Sequence, residues 1–359
     1  MSAFLIILAV VLLFIILFQI GKVVEVIGHL RGEKAAEEDE SNDLNAALIS
    51  IAGIVILVSS IISVFFYQDK FLPTSASTQG IKIDQIRNVT LLFTGIVYII
   101  TQTLLIVFVW KYRYKKGRKA VFFPHNNTLE LVWTVIPSIV LVILVVWGLT
   151  IWYQIFGKSS PDAIVIEATA QQFRWNIRYP GADNQFGIRD LKFVDNTNEL
   201  GINWGEASSH DDILATDIYL PVNRDVKVNI RSLDVLHNFY LPHFRMKMDA
   251  VPGIPTSFWF TPIYTTEEMR KKTGNPDFNY ELACAELCGS AHYNMRKKVV
   301  IVTQEEYDKW LLEQQPYYKQ VVEPTLNSTA DSGVISADSS VAAADTVSIV
   351  EDTVETVLN

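Results

Sequence analysis

Cys284-Ala285-Glu286-Leu287-Cys288-Gly289-Ser290-Ala291-His292-Tyr293-Asn294-Met295 packs four soft or borderline metal donors into one short loop. Two thiolates four positions apart, an imidazole four further on and a thioether three beyond that suit copper, since sulfur favours Cu(I) and imidazole accommodates Cu(II). A fifth donor is nominated by His237, which follows the apolar alternating run Val226 to Leu236, read as a buried strand that delivers a ligand to a rigid wall. Five side-chain donors, with the Glu286 carbonyl turned inward between the cysteines, exceed what one blue-copper ion takes. Two thiolates that each bridge two metal ions would resolve the excess. Two plainer readings stand beside this one. The only cysteines of the chain could form a disulfide, or two Cys and two His could hold a structural zinc, although Cys spacing there is usually shorter and Met295 would be idle.

The loop and the distant His resemble the dinuclear CuA centre of the cytochrome c oxidase subunit II family, and the likeness covers every ligand position. The resemblance implies that Cys284 and Cys288 bridge both coppers, that His237 and Met295 fall on one, and that His292 and the Glu286 carbonyl fall on the other. It further implies one-electron transfer with no bond made or broken, and a magnesium held by the Glu286 side chain at the seam with subunit I. Lys247-Met248-Asp249-Ala250-Val251-Pro252-Gly253 resembles another signature of that family, lying under the copper. His243, nearby, has no assignable counterpart and reads as a hydrogen-bonded surface or supporting residue.

Composition places the chain in a membrane independently. Half of its residues are hydrophobic and 19% are charged, and the apolar ones are clustered. Ala3 to Ile20, Ala46 to Tyr67, Leu91 to Trp110 and Leu129 to Trp152 reach or approach the ~20 residues that cross ~30 Å of hydrocarbon. The first lacks the basic start and clear cleavage site of a signal peptide, so a retained helix is expected. Lys111, Arg113, Lys115, Lys116, Arg118 and Lys119, with no acid among them, put the loop between the third and fourth spans in the cytoplasm. Both termini and everything after Trp152 then lie outside, in a bacterial-type inner membrane. Glu37 to Glu40 read as a solvated run in the other inner loop.

The last two spans carry the likeness again. Asn127-Thr128-Leu129-Glu130-Leu131-Val132-Trp133-Thr134-Val135-Ile136-Pro137 resembles the start of the second helix of the family's membrane hairpin. The resemblance makes Glu130 the mouth of a proton-uptake channel into subunit I, and the charge argument puts it at the same cytoplasmic boundary. A carboxylate in a first helical turn is also ordinary dipole stabilisation.

Beyond Trp152 short alternating stretches take over: Ala163 to Ala168, Phe173 to Tyr179, Ile213 to Leu220, Val226 to Leu236, Ser257 to Thr261, Tyr280 to Ala283 and Val299 to Thr303. They predict a two-sheet sandwich or barrel, which the family resemblance sharpens to a cupredoxin fold. Asp183 to Asp212 reads as a surface loop, and the stretch from Glu323 onward as a disordered acidic tail. The expected fold class is therefore membrane-anchored all-β, with boundaries of 1–72 for an extra pair of transmembrane helices, 73–88 for an outer loop, 89–158 for the hairpin, 159–312 for the copper domain and 313–359 for the tail.

The implied function is electron input to a terminal respiratory oxidase. Electrons come from a cytochrome c and pass to haem in subunit I, which reduces oxygen and pumps protons; the expected partners are that subunit, other oxidase subunits and the membrane, with no nucleic acid. Where the family has a Trp to receive electrons this chain has Phe173, beside Arg174, and Trp175 matches a second Trp of that stretch. Asp234 is the acidic candidate for docking a basic cytochrome. A CuA subunit of a membrane nitric oxide reductase, or a non-catalytic copper-binding membrane protein, are the alternatives.

Overall fold

A computed structural model describes residues 2–30 and 37–323. Helix α1 spans Ser2–Leu30, α2 Glu37–Phe71, α3 Thr78–Lys111 and α4 Asn127–Phe156. Among the described residues, three helices are long and apolar enough to cross a membrane: Ser41–Gln68, Thr78–Lys111 and Asn127–Phe156. Helices α2 and α3 outrun their apolar cores. Glu37 to Glu40 lie inside α2 rather than in a loop, at a helix start, where acidic residues suit the positive end of the helix dipole. The segment 73–88, expected as an outer loop, is helical from Thr78 because the Ser77 side chain accepts the Gly80 N–H and caps α3. The Asn126 side chain does the same for Leu129 at the head of α4.

Helix α2 packs on α3 of its own chain. Gly53 allows the approach, since a Cβ there would lie 2.7 Å from Ile106 Cγ1, and Tyr98 donates to Ser60 Oγ at 3.1 Å.

The outer domain is built from ten strands: β1 Ile164–Gln171, β2 Arg174–Tyr179, β3 Ile213–Ala215, β4 Ile218–Pro221, β5 Val226–Ser232, β6 His237–Leu241, β7 Met246–Ala250, β8 Thr256–Phe260, β9 Tyr280–Cys284 and β10 Arg296–Val302. They form two five-stranded sheets, ordered β3-β2-β1-β5-β8 and β4-β10-β9-β6-β7. The β1–β5 and β4–β10 pairs are parallel. This is the cupredoxin-like arrangement of mixed, curled sheets, and its core holds Trp175, Ile177, Val228, Ile230, Phe239, Leu282 and Ile301, each at most 1% exposed.

One predicted strand divides and another stops short. Ile213 to Leu220 becomes β3 and β4, which belong to different sheets. Val226 to Leu236 stops at Ser232, whose hydroxyl donates to the Val235 carbonyl at 2.5 Å and closes a turn. His237 therefore opens β6 in the second sheet instead of ending β5 in the first. Strands β6 and β7 and the helices α5 Thr266–Thr273 and α6 Gln304–Glu313 lie outside the predicted elements, and both helices carry a complete capping box.

Among the described residues, 180–213 and 315–323 form a second compact unit. Asp183 to Asp212 is not a bare loop. The Asn198 side chain, 3% exposed, bonds both the carbonyl and the N–H of Ile202. The rings of Tyr317 and Tyr318 lie against Trp204 at 5.5 and 5.7 Å, so the start of the expected tail is packed. The remainder, 324–359, lies outside the described residues.

In the first sheet Arg178 Nη2 meets Glu167 Oε2 at 3.0 Å, with side chains 3% and 6% exposed. Removing Glu167 takes the nearest carboxylate away from the buried Arg178 guanidinium. Glu167→Ala is expected to destabilise the outer domain by about 3 kcal/mol, measurable as a lower denaturant midpoint, whereas an unchanged midpoint would show that the pair contributes nothing.

Candidate metal centre

Strand β9 ends on Cys284, β6 begins on His237, and the loop before β10 supplies the other predicted donors. The register fixes their meeting: Phe239 of β6 lies opposite Cys284, the Ala285 N–H donates to the Asn238 carbonyl at 3.1 Å, and the Cys284 N–H donates to the Met295 carbonyl at 3.1 Å. The loop thus leaves the sheet at Cys284 and returns beside it at Met295.

Around the Cys284 sulfur stand His237 Nδ1 at 3.9 Å and the Glu286 carbonyl at 3.2 Å. Around the Cys288 sulfur stand His292 Nδ1 at 3.5 Å and Met295 Sδ at 3.4 Å. The two sulfurs are 4.0 Å apart, about twice a disulfide bond length, and both cysteines are free and buried. Ligand atoms of His237, Cys284 and Cys288 all lie within 4.8 Å of one another. Met295, 1% exposed, joins the set, and a zinc site of two Cys and two His would have no use for it.

A shell of polar contacts sets the geometry. Asp234 Oδ1 lies 2.9 Å from His237 Nε2, which assigns the proton to Nε2 and leaves the Nδ1 lone pair facing Cys284. Asp234 Oδ2 accepts the Gln172 N–H at 2.6 Å, and the Gln172 side-chain amide donates to the Cys288 carbonyl at 2.6 Å. Burial alone would raise the Asp234 carboxyl, but the Gln172 and Val235 N–H groups and the His237 ring hold it below the usual range. Asp234, expected as a docking acid, thus also orients a donor. Neither Gln172 nor this role of Asp234 was legible in the sequence, because the turn that brings them together is a tertiary contact.

Gly289 has φ +140°, and a Cβ there would lie 2.8 Å from Phe173 Cε1. The glycine lets the half-buried Phe173 ring rest on the loop next to Cys288. Trp175 is 1% exposed and edge-on to His237 and Phe239, with centroids 6.2 and 5.4 Å away. It is a core residue, and it walls the His237 side of the site.

Other predicted residues lie apart. Asp249, from the Lys247–Gly253 signature, accepts from the Asn238 side chain at 2.6 Å, on β7 alongside the His237 strand. His243 is no hydrogen-bonded surface residue: its ring packs edge-on against Phe278 and Tyr280, and burial, then Arg245, push it down to about 4. Glu130 sits in the first turn of α4, where its Oε1 accepts the Asn126 N–H at 3.4 Å. Glu286 is half-buried, and among the described residues the only cluster of three metal-capable side chains is His237, Cys284 and Cys288.

Two family models match this architecture: "Cytochrome C oxidase subunit II, transmembrane domain" over residues 66–151, and "Cytochrome C oxidase subunit II, periplasmic domain" over 164–303. The alternative cytochrome c oxidase subunit 2 of Bradyrhizobium diazoefficiens is 35% identical over 269 residues, covering 74% of this chain and 92% of that one.

The chain belongs to the cytochrome c oxidase subunit II family.

Cytochrome c oxidase subunit 2 of Thermostichus vulcanus is 27% identical over 71% of this chain and 82% of its own, and that of Cereibacter sphaeroides 28% over 66% and 77%. Among solved structures, the periplasmic domain of subunit II of cytochrome oxidase from Bradyrhizobium japonicum aligns over 46% of this chain and 99% of its own, at 24% identity and a TM-score of 0.31. As in the family, a membrane part precedes an outer domain. The membrane match begins at residue 66, so α1 and nearly all of α2 are additions to the matched region.

Burial, and then the neighbouring Cys284, push the Cys288 thiol up to about 11. The metal-free site therefore holds a proton that a metal must displace. Apparent copper affinity is expected to rise with pH through neutrality, by about tenfold per pH unit for each proton displaced. Competition titrations against a chelator of known affinity, run at several pH values, check this; an affinity independent of pH would contradict it.

Proposed function

We propose that this chain is the electron-input subunit of a terminal respiratory oxidase, taking electrons from a cytochrome c at a dinuclear copper centre and passing them to haem in subunit I, where oxygen reduction is coupled to proton pumping. The observation that carries the reading is the convergence of four donors around the two unbonded thiols of Cys284 and Cys288: His237, the Glu286 carbonyl, His292 and Met295. Two sulfurs, two imidazole nitrogens, a thioether and a carbonyl fit copper by softness and number. Copper held there would supply reversible one-electron transfer.

The chain's own residues keep that chemistry low in reorganisation. Asp234 fixes the His237 ring and its tautomer, and Gln172 ties the loop carbonyl of Cys288 to the same carboxylate. Trp175 and Phe239 pack behind the site and exclude water. Donors held this way need not move when the charge changes. Phe173, resting over Gly289, is the proposed point where electrons come in, and the exposed face of Asp234 remains open to a basic donor. The oxidase names of the relatives and the match to both oxidase subunit II models favour oxygen over nitric oxide as the final acceptor.

Two further roles belong to the proposal. Glu286 turns its carbonyl to the thiols and leaves its half-buried carboxylate for a magnesium shared with subunit I. Glu130, exposed at the head of α4, passes protons to subunit I from the cytoplasmic side of a bacterial-type inner membrane.

Metal analysis of the purified chain is expected to give two copper ions, with the near-infrared absorption of a mixed-valence pair. One zinc, or one blue copper, would contradict the assignment. In the assembled oxidase, Glu130→Gln is expected to slow turnover with copper content unchanged, and unaltered turnover would remove its proton role.

A further inference from the structure

We propose that Arg245 is a positioning residue: it clamps the strand that carries His237 to the membrane helix α3, and so fixes where the copper centre stands for inward electron delivery. The inference rests on the electron-input function proposed above. Its starting point is a chain connection. Strand β6 begins with His237 and ends at Leu241, a single turn Pro242–Phe244 follows, and Arg245 comes next. The candidate ligand and Arg245 are thus joined by one short strand, paired along its length by β7 and at Phe239 and Tyr240 by β9.

Arg245 is turned away from solvent, its side chain 7% exposed. Its guanidinium forms a fork on Asp84 of α3, with Nε to Oδ1 and Nη2 to Oδ2 both at 3.0 Å. Nη2 also donates to the Pro73 carbonyl at 2.6 Å, and Nη1 to the Pro242 carbonyl at 2.7 Å. Two-point pairing of this kind fixes angle as well as distance, which a lysine cannot do. The Pro73 carbonyl belongs to the connection between α2 and α3, so one side chain holds that connection, the helix and the turn below the copper strand.

The backbone supports the same reading. Arg245 has φ +58°, a left-handed conformation that favours glycine. A glycine would adopt it more readily, so what the position gains from arginine is the guanidinium. Packing is close as well: a Cβ on Gly80 would lie 3.1 Å from Arg245 Cγ, and the Ser77 hydroxyl donates to the Phe244 carbonyl at 2.7 Å. With Ser77 and Ala76 bonding the Phe244 and His243 carbonyls, a fold-level attachment survives loss of the fork. The fork adds the angular constraint.

The test uses the purified oxidase that contains this chain, with variants Arg245→Gly, Arg245→Lys and Asp84→Asn. A photoreductant injects one electron at the copper, and copper and haem absorbance are followed in time, which separates filling of the copper from its discharge to haem. Arg245→Gly and Asp84→Asn are expected to slow discharge by about tenfold or more, as small misplacements do, while the copper absorption and the filling step stay at wild-type values. Arg245→Lys is expected to recover part of the loss. Wild-type discharge in both disrupting variants would overturn the inference, as would an equal fall in filling and discharge, which is the mark of general destabilisation. Failure of the underlying function would show earlier, as a wild-type complex without mixed-valence copper absorption.

Discussion

Two thiols held 4.0 Å apart, buried and unbonded, are the constraint on which the rest of this structure depends. Free thiols at that separation could collapse to a disulfide if the loop between them were slack. It is not slack: the Cys284 N–H and the Met295 carbonyl close its base, and Gln172 holds the Cys288 carbonyl from the neighbouring turn. Burial raises the cost of charging Cys288, so metal binding there must displace its proton. The same apolar walls that impose this cost hold the side chains around the thiols in place.

Each sheet contributes differently to that constraint. The second sheet carries His237 and Cys284 on adjacent strands, β6 and β9, and the first supplies Trp175 as the wall and the turn after β5 as the seat of Asp234. Asp234 sits where the chain passes from one sheet to the other, so a single carboxylate reads the relative placement of both. On the membrane side, Ser77, Gln79 and Arg245 do comparable work: the Gln79 side-chain amide oxygen accepts the Thr261 N–H, while Ser77 and Arg245 join α3 to the turn below β6.

Much of this was legible from residue order alone, and the reason is local chemistry. Cys284 through Met295 announces its donors within one loop, and the four apolar runs announce helices because hydrocarbon thickness sets their length. His237 is legible as a candidate donor but not on its true strand: apolar alternation runs through Leu236, whereas the sheet change at Ser232 depends on a side-chain hydrogen bond that alternation does not encode. Gln172 and Arg245 were missed for a related reason. Their roles exist only once distant segments meet, Gln172 with Asp234 and Cys288, Arg245 with Asp84. The lobe of 180–213 was read as loop because its order comes from Asn198 and Trp204 rather than from any period.

The central claim is that the two thiolates bridge a pair of copper ions that share one electron. Electron paramagnetic resonance of the copper-loaded chain, oxidised to the mixed-valence state, tests it most directly. The account predicts hyperfine structure from one unpaired electron spread equally over two copper nuclei. A pattern from an electron localised on a single copper, or a copper-loaded protein with no such signal at any stage of oxidation, would contradict it.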